Sequence, residues 1–276
     1  MYKNFYQLTE KPFSLLPDPN YLYMGKKHSM AYSMLEYGLE SEAGFTVITG
    51  EVGCGKTTLI RHLLNQMPHE LTVGLITNTH KALGNLLQWI AYAFDINFKD
   101  KSDAELYEDL VDFMIEKYAQ GKRVVIIVDE AQNMDPEMLE ELRVFSNINA
   151  DKYQVLQIVI VGQPELREVL QRQELRQFAQ RVVVDYHIDK LNQDEVRKYI
   201  RHRIQIAGGS PDIFSDCAIE AISTYSGGVP RLVNSLADMS LVYGYAEQKN
   251  VIDKATISEV VKDRSSGGIG IAPFNH

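Results

Sequence analysis

The residues best suited to chemistry are a glycine-rich run followed by a lysine and two threonines. The run reads Gly50-Glu51-Val52-Gly53-Cys54-Gly55-Lys56-Thr57, with Thr58 next, and matches the pattern GxxxxGK[ST]. Glycines let successive backbone N–H groups turn toward phosphates, and the following lysine and hydroxyl suit phosphate oxygens and Mg²⁺. The run therefore predicts a phosphate-binding loop in which Lys56 reaches the β- and γ-phosphates and Thr57 binds the metal.

An acidic pair follows the most apolar run of the chain. Asp129 and Glu130 come directly after Arg123–Val128, a run typical of a strand that is covered on both faces. In enzymes with such a loop, an aspartate in this position holds Mg²⁺. A carboxylate beside it can take a proton from an attacking water. We interpret Asp129 as a metal-binding residue and Glu130 as a general base, although solvated loop residues are the alternative.

A further candidate is an arginine at the start of a predicted helix. Arg231 follows Gly227-Gly228-Val229-Pro230. Because the N-terminus of a helix carries partial positive charge, a cation there indicates that an external anion is bound nearby.

Alternating strands and helices must position these residues. The predicted strands are Phe45–Thr49, Thr72–Thr77, Arg123–Val128, Val155–Val161 and Val182–Ile188. Between them, apolar residues recur at helical spacing over Thr57–Gln66, Leu83–Phe94, Ala104–Tyr118, Pro136–Ser146 and Glu165–Phe178. This alternation predicts an α/β fold, a five-stranded parallel sheet with helices on both faces.

Four regions follow from the same patterns. Residues 1–40 form an N-terminal segment, expected to pack on the nucleotide-binding core, with a helix at Tyr32–Leu39. Residues 41–189 form the nucleotide-binding domain. Residues 190–264 form a small all-helical lid domain, with helices predicted at Asn192–Ala207, Asp216–Tyr225, Pro230–Gln248 and Lys254–Lys262. The glycine-rich tail, residues 265–276, is predicted to be disordered.

Composition narrows the classes of protein. Of 276 residues, 45% are hydrophobic, but no apolar run approaches the roughly 18 residues of a membrane span. The start lacks the apolar core of a signal peptide, and the two cysteines have neither disulfide nor zinc spacing. We therefore expect a cytoplasmic protein. The net charge of −9 argues against a dedicated DNA-binding module, but less so against DNA bound by a ring of subunits.

Taken together, the motifs resemble those of AAA+ ATPases, and more specifically the general secretion pathway protein A family. The resemblance covers about residues 1–262. Its blocks are Phe13, Pro17-Asp18-Pro19, Tyr21-Leu22-Tyr23, His28, Gly50–Thr58, Asp129-Glu130-Ala131-Gln132, Leu142-Arg143, Asn147, Gly162-Gln163-Pro164-Glu165-Leu166, Gln180-Arg181, Tyr199–Arg203 and Gly228–Asn234. It implies ATP with Mg²⁺ as ligands and a homo-oligomer, either a ring or a helical assembly.

The resemblance also implies roles for single residues. Gln163 would sense the γ-phosphate, although a plain loop that leads into a helix is the alternative. Arg181, or else Arg176, would reach the ATP site of a neighbouring subunit, although either could simply complement a helix C-terminus. Arg231 would be the second sensor of the γ-phosphate.

Two residues near the N-terminus, Tyr23 and His28, would lie near the adenine. Long members of the family continue into a membrane span and a peptidoglycan-binding domain. The stretch from Gly267 departs from them, so we expect no direct contact with the cell wall.

Two functions compete at this point. The first is an ATPase that drives or regulates assembly of a protein partner in envelope export, such as a secretion, polysaccharide, exosortase or pilus system. Such a protein would be cytoplasmic or bound to the inner membrane through its partner. The second is an ATP-dependent regulator of transposition that binds duplex DNA. Lysines at Lys81, Lys99–Lys101 and Lys152 would favour the second, whereas the acidic composition favours the first.

Overall fold

A parallel five-stranded sheet organises the central part of the chain. The computed structural model describes residues 1–67, 70–77, 79, 84–150 and 153–266. The strands are β1 Phe45–Gly50, β2 Leu71–Ile76, β3 Arg123–Val128, the two-residue strands β4 Asn149–Ala150 and β5 Tyr153–Gln154, β6 Leu156–Gly162 and β7 Val182–Ile188. The sheet has the order β2-β3-β6-β1-β7 with every pair parallel, while β4 and β5 form a separate antiparallel hairpin. The predicted fold class is confirmed.

Helices connect the strands and fill the C-terminal region. They are α1 Tyr2–Phe5, α2 Lys26–Glu40, α3 Lys56–Gln66, α4 Leu86–Ala93, α5 Asp103–Ala119, α6 Pro136–Phe145, α7 Glu165–Leu170, α8 Arg176–Ala179, α9 Gln193–Ile206, α10 Asp216–Ser226, α11 Pro230–Ala246 and α12 Lys254–Ser266. Between β7 and Ser266, where the description of the chain ends, every element is helical, as predicted. The helix predicted at Leu83 begins at Leu86, and Leu83 itself lies outside the described residues.

The central strands are buried along their length. Every residue of β1 and β6 is buried, and so is every residue of β3 after Arg123. Such strands need cover on both faces, which explains their continuous apolar sequence. The register pairs Thr49 with Gly162 and Val128 with Ile160, so the carboxyl ends of these strands lie at one edge.

Polar side chains from the sheet complete the end of α2. The last carbonyl groups of a helix lack partners within the helix. Gln157, a buried residue of β6, donates to the carbonyl oxygens of Gly38 and Leu39 at 3.2 and 3.0 Å. Arg123 donates to the Leu39 oxygen at 2.7 Å. These contacts join α2 to two strands of the sheet.

The helix predicted over Glu165–Phe178 is wrong as a single element. It is broken into α7, a 3₁₀ turn at Gln173–Leu175 and α8, with Arg172 extended at φ −65° and ψ 148°. Leu170 and Leu175 are both buried. Residues five apart point about 140° from each other around one helix, so the break lets both face the core.

The chain divides into two compact units. The helical unit comprises Met1–His28, Glu51–His62 and Asp189–His276, and the sheet unit comprises Ser29–Gly50 and Leu63–Ile188. The first 28 residues thus group with the C-terminal helices and with Glu51–His62, which contains most of the glycine-rich loop and the start of α3. The physical reason is aromatic burial: Tyr2, Tyr6 and Phe13 lie in one apolar cluster with residues of α9 to α12.

A buried arginine fixes the N-terminal segment in the helical unit. Arg203 of α9 is 7% exposed and donates to the carbonyl oxygen of Pro12. It also donates to the Tyr199 hydroxyl at 3.1 Å, and its guanidinium lies 4.7 Å from the centre of the Tyr21 ring. Burial of a cation requires such partners, since an unpaired buried charge is strongly destabilising.

The C-terminal tail is predicted disordered from Ser265, but α12 continues through Ser266. The rest of that tail, residues 267–276, lies outside the described residues, as do Lys81 and Lys152. Among the helices in the described part of the chain, none is both long and apolar enough to cross a membrane.

Candidate active site

The glycine-rich loop joins the end of β1 to the first turn of α3. Gly53 and Gly55 have φ values of 78° and 99°, which L side chains rarely adopt, so glycine is required at both positions. Lys56 begins α3, is 5% exposed and donates to the Glu51 carbonyl oxygen at 3.1 Å. Backbone N–H groups at the N-terminus of a helix attract anions. The geometry within the helical unit is that of a phosphate-binding loop.

The predicted second sensor lies against this loop. Arg231 is in the first turn of α11, and its backbone N–H donates to the Gly53 carbonyl oxygen at 3.1 Å. A Cβ added to Gly53 would lie 2.4 Å from the Cβ of Arg231, so a second constraint demands glycine here. The guanidinium is exposed and has no hydrogen bond or ion pair with the described residues. It is a cation beside the loop, free to take an anion.

His28 lies on the other side of the loop, still within the helical unit. It is 4% exposed, and its Nε2 lies 2.8 Å from the Cys54 carbonyl oxygen. Because a carbonyl oxygen only accepts, Nε2 carries the hydrogen and Nδ1 is an acceptor. Burial lowers the pKa of His28, which keeps the ring neutral. Nδ1 is buried without a partner among the described residues, so it suits a ligand N–H donor.

A small cavity next to this histidine brings Tyr23 to the loop as well. Its walls include Tyr23, His28, Gly55, Thr58 and Pro230, and its volume is about 40 Å³. The Tyr23 ring packs edge-on against Tyr199 and His202 at 6.0 and 5.7 Å. Such a volume holds a few waters rather than a purine, so binding a base requires its aromatic walls to part.

The acidic pair lies at the carboxyl edge of the sheet. Asp129 is 4% exposed, its backbone N–H donates to the Ile76 carbonyl oxygen at 2.8 Å, and its Oδ1 accepts from the Glu130 N–H at 2.9 Å. Glu130 has φ 56°, a left-handed conformation that is uncommon for residues other than glycine. The turn therefore gives the adjacent carboxylates of Asp129 and Glu130 different orientations at the end of β3.

Two glutamines hold the Glu130 carboxylate. Gln132 Nε2 and Gln163 Nε2 donate to the same Oε2 at 2.7 and 3.2 Å. The backbone N–H of Gln163 in turn donates to Gln132 Oε1 at 3.0 Å. Sequence reasoning singled out Gln163 but missed Gln132 as a site residue. The sequence signal that could have identified Gln132 is its side-chain amide, two residues beyond Glu130. Gln132 lies in the 3₁₀ turn Ala131–Asn133.

The two candidate trans-acting arginines have different surroundings. Arg181 donates to Ser146 Oγ at 3.0 Å, to the Arg143 carbonyl oxygen at 3.4 Å and to Asn147 Oδ1. Arg176 is exposed and makes no side-chain hydrogen bond or ion pair with the described residues. Arg181 is thus held at the end of α6, whereas Arg176 is unrestrained.

The proposed metal ligands are placed by different elements. Thr57 is in the first turn of α3, and Asp129 follows β3. Among the described residues there is no cluster of three or more His, Cys, Asp or Glu side chains that could hold a metal. Mg²⁺ keeps several waters and binds through one or two side chains plus substrate phosphates, so the hydroxyl of Thr57 and the carboxylate of Asp129 are each of a chemical type that suits it.

Comparison with known protein families agrees with this geometry. The model of the AAA domain matches residues 39–170. General secretion pathway protein A of Aeromonas hydrophila is 40% identical over 259 residues, which cover 94% of this chain. The chain spans about half of that protein, 47% of its length.

Solved structures with the same fold are more distant in sequence. ORC2 of Aeropyrum pernix, solved in ADPNP–ADP complexes, matches with a TM-score of 0.70 and 18% identity, over 92% of this chain and 71% of that one. Cdc6p of Pyrobaculum aerophilum matches with a TM-score of 0.70 and 17% identity, over 90% of this chain and 71% of that one. At these identities the likeness shows the fold alone.

Proposed function

We propose that this chain is an AAA-domain ATPase that hydrolyses ATP–Mg²⁺ to drive or regulate assembly of a partner complex in envelope export. The observation that carries the hydrolytic part is the Glu130 carboxylate, held by Gln132 and Gln163 beside Asp129. The export role is supported by 40% identity with general secretion pathway protein A over nearly the whole chain.

Binding relies on the loop and its neighbours in the helical unit. The backbone N–H groups of residues 51–57 and the Lys56 ammonium neutralise the phosphates. Tyr23 and His28 take the adenine, whose exocyclic amine can donate to His28 Nδ1. Arg231 contacts the γ-phosphate, because its backbone and the stem of its side chain lie against Gly53 and its guanidinium has no hydrogen bond or ion pair with the described residues.

Hydrolysis relies on the acidic edge of the sheet unit. Thr57 and, through water, Asp129 would hold Mg²⁺, which would supply positive charge to offset the charge that develops on the phosphate oxygens. Glu130 accepts a proton from a water, whose oxygen forms a bond to the γ-phosphorus as the bond to the β–γ bridging oxygen breaks. Gln163 and Gln132 orient the carboxylate for that transfer, and an arginine of a neighbouring subunit stabilises the transition state.

The phosphate contact is tested by Lys56→Ala. Loss of its charge should reduce ATP affinity at least about tenfold, since a hydrogen bond to a charged group is worth about 1.5–3 kcal/mol. Binding of a fluorescent ATP analogue measures this, and Lys198→Ala, an exposed lysine on α9, is the matched control. Unchanged affinity in Lys56→Ala would remove the loop from the proposed site.

The export role is tested by complementation in a host that lacks this protein. Wild type should restore the assembled export complex in membrane fractions, whereas Lys56→Ala and Glu130→Gln should not. The ATPase rate is measured with and without duplex DNA. A rate stimulated severalfold by DNA, together with normal export assembly in the deletion strain, would replace the export role with regulation of transposition.

A further inference from the structure

A large concavity in the sheet unit is lined by neither residue of the acidic pair. It is a groove of about 890 Å³ lined by residues of α4, α5, α6 and the turn before α8. Its apolar lining includes Leu86, Tyr107, Val144, Phe145 and Leu175. Tyr107 and Val144 are 40% and 52% exposed, and Tyr107 packs edge-on against Phe145 at 6.0 Å. None of these residues has a role in the proposed hydrolysis.

Carboxylates surround that apolar surface. The groove is lined by Asp103, Asp135, Glu137, Glu140, Glu141 and Glu174, and by no basic residue among those described. Two of these carboxylates accept hydrogen bonds within the unit: Asp135 accepts from the Met138 N–H at the start of α6, and Asp103 accepts from the Asn85 side chain. These two hydrogen bonds explain the presence of only two of the six carboxylates.

Three of the carboxylates have unused acceptor capacity. Glu137 and Glu141, one turn apart on α6, are exposed and make no hydrogen bond or ion pair with any described residue. Glu140 uses Oε1 to accept from Arg143, at 2.7 Å from Nε and 2.6 Å from Nη2, while its Oε2 is buried without a partner. A buried acceptor without a partner is costly, so a donor from outside would stabilise it.

We propose that this groove, lined by residues of α4, α5 and α6, docks a basic amphipathic helix of the partner protein. A groove lined by both apolar side chains and carboxylates is complementary to a helix that carries leucine-like residues on one side and Lys or Arg beside them. The same six carboxylates oppose a nucleic acid, since they outnumber the basic residues beside them and its phosphates would meet net negative charge.

This inference rests on the proposed function only for the existence of a protein partner. Peptide binding without nucleotide can be measured whether or not the chain hydrolyses ATP. Failure of docking would thus leave the hydrolysis proposal intact, and failure of hydrolysis would leave docking testable.

The probe is a fluorescein-labelled helical peptide of about 14 residues, or four turns, with Leu at positions i, i+3, i+4 and i+7 and Lys elsewhere. Two matched peptides accompany it: one replaces Lys with Glu, and one has the same Lys/Leu composition in scrambled order. Fluorescence anisotropy against the full chain should show binding of the basic amphipathic peptide, at least tenfold tighter than either matched peptide. Its affinity should fall as salt is raised.

Groove variants then locate the contact. Glu137→Gln with Glu141→Gln should weaken binding about five- to tenfold, the effect expected for two partly exposed ion pairs. The matched control is Glu108→Gln with Asp112→Asn, which removes two exposed acids of α5 that do not line the groove. Val144→Ser should weaken binding as well, whereas Ile115→Ser, at a 44% exposed apolar residue of α5, should not. Glu137→Lys with Glu141→Lys should shift the preference to the Glu/Leu peptide.

Several results would overturn the proposal. They are equal affinity for all three peptides, no saturable binding, or equal weakening by the control variants. If sedimentation shows that Val144→Ser and the Glu137/Glu141 variants abolish self-association while no peptide binds, the groove contacts a second copy instead. Circular dichroism verifies folding, and the charge variants at exposed positions decide the outcome if Val144→Ser is misfolded.

Discussion

At the scale of single residues, the carboxylate of Glu130 is the most constrained group of the acidic edge. Its backbone is left-handed, and one of its oxygens accepts from two glutamine amides. Conformations of this kind persist only where the surroundings enforce them, and they cluster at functional sites. The two amides orient the carboxylate, so its base role and its positioning can be tested separately.

Glu130→Gln tests the base role. The substituted amide keeps the shape of the side chain but cannot take a proton, so nucleotide affinity should persist while kcat falls about 100-fold or more. Phosphate release measures kcat, and an ATP analogue measures affinity. Glu108→Gln, an exposed glutamate of α5, provides the control. A parent rate in Glu130→Gln would remove Glu130 from its assigned role.

Gln132→Ala and Gln163→Ala test positioning. Each should lower kcat about tenfold with KM little changed, because a misplaced base affects the chemical step rather than binding. Since both amides donate to one oxygen, the double variant should deviate from the sum of the single effects. Strict additivity, or a change in KM alone, would contradict a shared positioning role.

At the scale of elements, α11 places Arg231 beside the phosphate-binding loop. The backbone contact with Gly53 fixes the helix start, while the exposed guanidinium makes no hydrogen bond or ion pair with the described residues. Arg231→Ala should therefore leave the thermal midpoint unchanged and reduce the preference for ATP over ADP about tenfold, by loss of one charge-assisted contact. Competition between the two nucleotides measures this preference.

Lys254→Ala is the control for Arg231, because Lys254 is another exposed cation in the first turn of a helix in the same unit. The Lys254→Ala variant should not alter the preference for ATP over ADP. A fall in affinity for ATP and ADP alike in Arg231→Ala would show that Arg231 binds nucleotide without sensing the γ-phosphate.

The elements that sequence predicted well are those with local signals. The bounds of β3 and β7, Arg123–Val128 and Val182–Ile188, match the predictions, since apolar runs end there at charged residues. The break near Arg172 was missed because no glycine or proline marks it, and tertiary burial of Leu170 and Leu175 decides it. The hydrogen-bond partners of Arg181 were missed because no local pattern indicates them: they lie 34 to 38 residues away in sequence.

At the scale of the whole molecule, activity should depend on assembly. Arg181 is held by Ser146, Asn147 and the Arg143 carbonyl at the end of α6, which fixes its planar guanidinium, and we propose that it acts on a neighbouring subunit. We expect the rate per subunit to rise with protein concentration. Arg181→Ala should bind ATP almost normally and turn over about a thousandfold more slowly. Arg176→Ala, which removes an unrestrained arginine, should remain close to the parent rate.

Mixing variants separates action in trans from action within one chain. Arg181→Ala subunits retain Glu130, and Glu130→Gln subunits retain Arg181. A mixed assembly therefore contains some sites with both groups and should regain part of the rate, whereas either variant alone stays slow. Fluorescence energy transfer between labelled variants establishes that they co-assemble.

If co-assembled mixtures show no recovery, Arg181 acts within its own chain. If Arg176→Ala alone is slow, and mixing it with Glu130→Gln restores part of the rate, the trans-acting arginine is Arg176. A constant rate per subunit, down to concentrations at which only monomer remains, would overturn the trans model.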